Sequence, residues 1–173
     1  GVGRQYTGSA GKITNCQIGV FAAYVSWHGH AFIDRALYLS KAWTSDPARM
    51  AGSHVPAGTA FATKPALAVQ MIERAIMADV PFSWVAADTV YGCGPIETRL
   101  RQAGKGYVLG VASSHHFASW ADKSPIAGTA GEIAKGLDAS AWKRLSAGEG
   151  TKGPRLHDWA YRELADLDAS EYG

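Results

Sequence analysis

The sequence predicts an α/β fold in which helices flank a mixed sheet. Near the start of the chain, two segments rich in β-branched and aromatic residues are joined by a short turn, which is typical of an antiparallel hairpin. Further along, short apolar segments alternate with helical patterns, which favours strands with helices packed against them. The chain has 173 residues, of which 47% are hydrophobic and 18% charged, so it is long enough to bury a sizeable core.

The predicted hairpin covers residues 13–27 and 31–39. Its first segment, ITNCQIGVFAAYVSW, partly alternates between apolar and polar residues, and its second is AFIDRALYL. Between them lies His28-Gly29-His30, a short turn with glycine at its centre. We therefore predict that these two segments are antiparallel strands.

Two helices follow the hairpin. Asp46 and Pro47 have the pattern of a cap and a first helical residue, which predicts a short helix through Met50. Thr63 is a candidate cap for a longer helix over residues 64–78. This longer helix is predicted from apolar residues at helical spacing, namely Leu67, Met71, Ile72, Ala75 and Ile76.

The next two strands are predicted from short apolar segments, over residues 82–87 and 106–112. A helix over 95–103 separates them and is closed by Gly104. We expect these strands and the hairpin to share one sheet.

The pattern weakens beyond residue 115. The segments TAGEIAKGL and ASAWKRLSA are candidates for short helices, and SAGEGTKGPR has the composition of an exposed loop. We therefore expect a single domain over residues 1–173, with a sheet core at 1–115 and a helical and loop extension at 116–173.

Asp88 is the single residue that most suggests a function. It ends the segment FSWVAAD and is followed at once by a turn, so it lies at the carboxyl edge of a predicted buried strand, where loops can bind ligands. One interpretation is a turn aspartate that bonds the backbone of the residues after it. The other is a metal-binding carboxylate, which needs partners because hard cations require several oxygen ligands.

Four basic residues, Lys143, Arg144, Lys152 and Arg155, surround the glycine-rich segment GEGTKG at 148–153. This segment has the letters of a dinucleotide-binding motif but lacks its context, since a helix-like stretch precedes it and a proline follows. The basic residues are either a solvated surface or a contact with a phosphate backbone, and both interpretations stay open.

Composition limits the class of protein only loosely. The net charge of +2 neither requires nor excludes an anionic partner. Cys16 and Cys93 lie far apart in sequence, which favours a reducing compartment, and no apolar segment reaches transmembrane length. We expect a cytoplasmic protein without a membrane partner. The chain opens GVGRQYTG without a methionine and stops at ASEYG, which leads us to expect an internal fragment, incomplete at both ends.

Several segments resemble bacterial insertion-sequence transposases of the DDE superfamily endonuclease type. The resemblance runs in order from residue 1 to about 173. It is carried by GVGRQYTGSAGKITNCQIGVFAAYVS, DRALYLSKAW, FATKPALAVQMIERA, WVAADTVYG, KGYVLGV and LSAGEGTKGPRLHDWA.

The resemblance implies a ribonuclease H-like core with three acids that hold two divalent ions, Mg²⁺ or Mn²⁺, for cutting and joining DNA. Asp88 matches the second acid. The family's first aspartate lies in a strand upstream of residue 1, and its glutamate lies in a helix downstream of the present end. Glu149, Asp158 and Glu163 do not match the glutamate motif.

The resemblance therefore implies a DNA-cutting and DNA-joining enzyme of the nucleoid, of which this piece alone is inactive. Its partners would be transposon ends and target DNA, with a homodimer in the active complex. Two rival functions remain open. One is a non-catalytic nucleic-acid-binding or regulatory module on the same scaffold, and the other is a metabolic α/β enzyme whose Asp88 binds a small substrate.

Overall fold

The computed structural model describes residues 2–8, 10–118 and 127–162. They belong to two compact units, Gly1–Gly110 and Val111–Gly173. Helices and strands occur in both units, which confirms the predicted α/β class. The predicted single domain, with its internal boundary at residue 115, stays a prediction.

The first unit contains six strands and four helices among its described residues. They are β1 (Gly3–Thr7), β2 (Lys12–Cys16), β3 (Ile18–Ser26), β4 (Gly29–Tyr38), α1 (Lys41–Thr44), α2 (Pro47–Gly52), α3 (Lys64–Met77), β5 (Trp84–Ala87), α4 (Gly94–Gln102) and β6 (Gly106–Leu109).

The described part of the second unit contains four strands, one α-helix and one short 3₁₀ helix. They are β7 (His116–Ala118), β8 (Ala127–Thr129), α5 (Ala130–Lys135), the 3₁₀ helix Ala139–Ala141, β9 (Lys143–Gly150) and β10 (Gly153–Trp159).

The predicted hairpin is confirmed, since β3 and β4 are antiparallel with Ile18 opposite Tyr38 and Ser26 opposite Gly29. The predicted strand over 13–27 is wrong in its extent, because it breaks at Gln17 into β2 and β3. A second hairpin, β1–β2, was not predicted. Its turn depends on Gly11, which has a φ of 62° that favours glycine.

The helix caps are confirmed. The backbone N–H of Arg49 donates to Asp46 Oδ1 at 2.9 Å at the start of α2. The N–H of Ala66 donates to Thr63 Oγ1 at 3.2 Å at the start of α3. Gly104, with a φ of 62°, follows α4 as the sequence predicts.

Packing in the first unit centres on α3, which lies against β3, β4 and α4, while α4 also lies against β6. Ile96 and Leu100 of α4 are the most deeply buried large side chains described. The other buried apolar residues are Val20, Leu39, Trp43, Met50 and Met71.

The predicted single sheet is wrong. Although β5 and β6 do form one parallel pair, β3–β4 is a separate antiparallel pair. The two pairs are separated by a cleft of about 670 Å³ that residues 20–27 and 80–87 line. No described strand bridges them, so the pairs share the packing of α3 and α4 rather than backbone hydrogen bonds.

The second unit differs most from expectation. A short helix is confirmed as α5, which Thr129 and Glu132 cap reciprocally. Of the segment ASAWKRLSA only Ala139–Ala141 is helical, as a short 3₁₀ helix. The rest of it and the loop proposed for SAGEGTKGPR are predicted wrongly, because residues 143–159 form the antiparallel hairpin β9–β10. The extension is therefore not only helix and loop. Gly148 and Gly153 have φ values of 99° and 106° at its turn end, where glycine tolerates the geometry.

Candidate functional site

Asp88 lies directly after β5, at the carboxyl end of the parallel pair β5–β6. The N–H of Gly110 donates to the carbonyl of Ala87 at 2.9 Å, which extends the pairing to this edge. A Cβ at Gly110 would lie 3.1 Å from the nitrogen of Thr89 and 3.3 Å from the carbonyl carbon of Asp88. Position 110 therefore favours glycine, because the backbone of Asp88 and Thr89 lies where a side chain at position 110 would begin.

The Asp88 carboxylate takes part in a turn. Its Oδ1 accepts a hydrogen bond from the N–H of Val90 at 2.9 Å, and its carbonyl accepts from the N–H of Tyr91 at 3.0 Å. This is the geometry of the turn interpretation. Its Oδ2 accepts no hydrogen bond from any described residue, and the side chain is exposed. One oxygen thus orients the carboxylate and the other is available to a ligand.

Tyr91 is a titratable neighbour of Asp88, and the charge of Asp88 affects its pKa. Burial of the phenol raises the pKa of Tyr91, and the negative charge of Asp88 raises it further. The phenol therefore stays protonated at neutral pH beside this carboxylate.

The described residues do not form a complete metal site. Across residues 2–8, 10–118 and 127–162, no three His, Cys, Asp or Glu side chains converge closely enough to hold an ion. Because Mg²⁺ requires several oxygen ligands, Asp88 on its own does not fit a bound divalent ion. Asp88 fits such an ion only as one member of a larger ligand set.

The two predicted arginines in the second unit already have partners. Arg144 forms a bidentate pair with Asp158, with Nε–Oδ1 at 2.9 Å and Nη2–Oδ2 at 2.8 Å. Hydrogen bonding within this pair raises the pKa of Arg144 and lowers that of Asp158. Arg155 donates from Nη2 to the carbonyl of Ala147 at 2.8 Å. Both guanidinium groups therefore contribute to holding the hairpin together.

The two predicted lysines lie at opposite ends of the same hairpin. Lys143 begins β9 opposite Trp159, and Lys152 lies in the turn between β9 and β10. A strand of eight residues is roughly 26 Å long. The four basic residues consequently do not converge, and only Lys152 and Arg155 share the turn end. Of the acids that do not match the family motif, Glu149 and Asp158 lie in this hairpin, and Glu163 lies outside the described residues.

A family model described as DDE superfamily endonuclease matches residues 1–154. The chain belongs to this family. Neither a curated protein nor a solved structure was matched by the chain. Membership confirms the resemblance at the level of the DDE endonuclease family, whose activity is of the nuclease or transposase type and whose substrate is DNA. Enzymes of this superfamily generally use divalent metals.

The match of this DDE endonuclease chain includes Asp88 and the basic residues up to Lys152, and it ends just before Arg155. Among the described residues, no helix is long and apolar enough to cross a membrane.

Two arginines that no sequence motif singles out, Arg4 and Arg49, line one cavity in the first unit of the DDE endonuclease. They are far apart in sequence and share no motif. Only the docking of the unpredicted β1–β2 hairpin beside α1 and α2 brings them to the same cavity.

Proposed function

We propose that this chain is the internal part of a bacterial insertion-sequence transposase, which cuts and joins DNA by divalent-metal-assisted phosphoryl transfer. The observation that carries the proposal is the position of Asp88 in a family-matched segment, at the carboxyl end of a parallel strand pair. A carboxylate with one free oxygen at this edge is suited to a hard cation.

Asp88 is, in this proposal, the second of three metal-holding acids. The turn bond from Val90 and the close backbone of Gly110 hold it in one orientation, which a metal ligand needs. Mg²⁺ or Mn²⁺, when bound, would stabilise charge on the reacting phosphate. In this proposal the other two acids belong to polypeptide outside the described residues, and this chain alone is inactive.

The cleft between β3 and β5 supports a ribonuclease H-like sheet as the complete arrangement. Residues 20–27 and 80–87 line it consecutively, whereas a sheet face would present every second residue. The cleft is therefore bounded by strand edges, and neither edge is paired with another described strand. Its remaining lining includes one face of α3, through Ala68, Met71, Ile72 and Ala75.

We propose that a further strand fills this cleft and joins the two pairs in the order β4, β3, added strand, β5, β6. The resemblance suggests which strand this is, namely the one that ends in the family's first aspartate. Parallel pairing with β5 would bring the carboxyl end of that strand to the edge where Asp88 lies.

The test is Asp88→Asn in a transposase extended along its natural reading frame. Magnesium-dependent cleavage of DNA bearing the element's ends should fall by at least about 100-fold, because an amide replaces a charged ligand. The melting temperature should not change, since an asparagine oxygen can still accept from the N–H of Val90. Asp79→Asn is the matched control, because Asp79 is exposed and has a φ of 50°, which asparagine tolerates.

Near-parental cleavage by the extended Asp88→Asn enzyme would mean that Asp88 is only a turn residue. Strong magnesium-dependent cleavage by residues 1–173 alone would contradict the proposed inactivity of this piece.

A non-catalytic nucleic-acid-binding module on the same scaffold is the alternative. It is favoured by the lack, among the described residues, of any three His, Cys, Asp or Glu side chains placed to hold a metal ion. An extended protein that binds DNA ends tightly but never cuts them, with or without Asp88, would support this alternative.

A further inference from the structure

A cavity of about 1080 Å³ lies in the first unit, between the β1–β2 hairpin and the helices α1 and α2. The hairpin contributes Arg4 and Asn15, and α2 contributes Arg49. The last residues of β4 and the segment after α2 complete the lining. This cavity is separate from the strand cleft and does not include Asp88.

The described ionisable side chains that line this cavity are all basic. Arg4, Arg49 and His54 line it, and no Asp or Glu is among its described lining residues. Arg4 is exposed, and its side chain makes no hydrogen bond or ion pair with any described residue. The guanidinium of Arg49 lies over the ring of Trp43, 3.8 Å from its centroid, without a described carboxylate partner.

Three other arginines of the chain form ion pairs with described carboxylates, unlike the two that line this cavity. Arg74 pairs with Asp34 at 2.8 Å, Arg99 pairs with Glu73 at 3.3 Å, and Arg144 pairs with Asp158. The cavity thus collects two guanidinium groups whose charge no described side chain balances. An anionic ligand would supply that balance.

Both arginines are positioned by the same tryptophan. Trp43 is buried, with 8% of its surface exposed, and its Nε1–H donates to the carbonyl of Val2 at 2.9 Å. This bond fixes the entry to β1, two residues before Arg4, while the other contact of the ring positions Arg49. The backbone of both arginines is fixed, because Arg4 lies in β1 and Arg49 lies in α2 rather than in a loop.

The chemistry of the lining fits a phosphate ester. Guanidinium groups bind phosphate oxygens through two parallel N–H bonds, and their planes also stack on nucleobases. Asn15 lies opposite Arg4 in the hairpin, and Gln17 follows β2, so amide side chains suited to base edges are adjacent. The volume is at the upper limit for small-molecule pockets, which favours a polymer segment.

We propose that this cavity binds the phosphodiester backbone of a DNA strand, with Arg4 and Arg49 contacting its phosphates. The site rests on the proposed function, since that function supplies DNA as the ligand.

The test measures binding of fluorescently labelled duplex DNA to residues 1–173 at several salt concentrations. Arg4→Gln and Arg49→Gln should each weaken binding by about tenfold, the loss expected for one charge-assisted contact. Each should also reduce the slope of log K against log salt by about 1. The matched control is Lys12→Gln, which removes the same charge from the same hairpin outside the cavity and should have a much smaller effect.

Arg4→Gln is the decisive variant, because the Arg4 side chain has no described hydrogen-bond or ion-pair partner and its replacement should leave the melting temperature unchanged. Arg4→Lys keeps the charge without the bidentate geometry and should recover part of the binding. Unlabelled nucleoside triphosphate is the competitor that separates DNA from a free nucleotide, and it should displace DNA only weakly.

Four results would overturn the proposal. They are unchanged binding by Arg4→Gln, an equal loss with Lys12→Gln, efficient displacement by nucleoside triphosphate, and no DNA binding by the parent at low salt. Cleavage by the extended Asp88→Asn enzyme tests the proposed function separately. Normal binding by Arg4→Gln with abolished cleavage by Asp88→Asn would refute only the cavity site. The reverse pair of results would refute only the proposed role of Asp88.

Discussion

The edge that carries Asp88 and the β9–β10 hairpin are held in place by different interactions. Behind Asp88, β5 pairs with a strand that α4 separates from it in sequence, and Ile96 and Leu100 of α4 are 1% and 0% exposed. The hairpin pairs neighbouring segments, and all of its strand residues except Gly150 and Gly153 are exposed. Packing can hold a carboxylate rigidly, whereas an exposed hairpin depends on its own cross-strand contacts.

The arginines of the hairpin and those of the first-unit cavity also differ in whether their side chains have internal partners. In the hairpin, Arg144 and Arg155 are bonded to the hairpin itself. In the first unit, Arg4 and Arg49 line a cavity without a described carboxylate partner. The number of basic residues in a segment therefore does not give the number of charges available to an anion, because internal partners already bind some of them.

The largest expected difference is in stability. Leu100→Ala removes a fully buried side chain and should lower the free energy of unfolding by about 2–5 kcal/mol. Leu156→Ala is the matched change in the hairpin, where the side chain is 54% exposed, and should cost roughly 0.5 kcal/mol or less. Urea unfolding followed by circular dichroism measures both. Equal losses would contradict the distinction between a packed edge and a self-supporting hairpin.

A smaller effect is expected on DNA binding by the hairpin. If its turn end contacts phosphates, neutralising Lys152 and Arg155 together should weaken binding by roughly tenfold or less and flatten its salt dependence. The loss should be similar for all DNA sequences, since phosphates carry no sequence information. Lys135→Gln, an exposed charge in α5 outside the hairpin, is the control in the same titration. A double variant with the parent's affinity and salt slope would identify the turn as ordinary surface.

The smallest effect concerns pH and the ion pair that links α3 to β4. The hydrogen bond from Arg74 lowers the pKa of Asp34 below its ordinary 3.8. A lowered folded-state pKa contributes stability above the unfolded value, and this contribution disappears as pH falls through the folded pKa. Asp34→Asn should therefore cost roughly 0.2–1 kcal/mol near pH 7, because the pair is partly exposed.

The same variant should differ little from the parent in strong acid, where Asp34 is protonated in both states. Unfolding curves of the two proteins across this pH range measure the difference. A difference that persists at the acid end would mean that the carboxylate acts through packing rather than through its charge.

Local signals in the sequence were sufficient to predict many of the helices and strands of the first unit. The caps Asp46 and Thr63, the apolar spacing of α3 and the glycine after α4 all act within a few residues of the element they define. For the same reason Asp88 could be assigned to the end of a strand, and its turn bond to Val90 could be anticipated. These features depend on backbone geometry and nearest neighbours, which a sequence displays directly.

The pairing of strands was harder to predict from the sequence. The strand β9 has the sequence KRLSAGEG, which contains one large apolar residue, and it forms a strand because β10 lies beside it. The separation of β3–β4 from β5–β6 could not be read from apolar segments either, because those segments identify strands without specifying their partners.

The sequence by itself thus determined the α/β class, the capped helices and the position of Asp88 after its strand, since each follows from local propensity and periodicity. The family match was likewise a property of the sequence alone. Only the tertiary structure decided which arginines stay unpaired, where the β1–β2 hairpin docks on Trp43, and which strand edges border the cleft. Those features arise from contacts between residues far apart in the chain, where packing selects one arrangement among many that the local pattern permits.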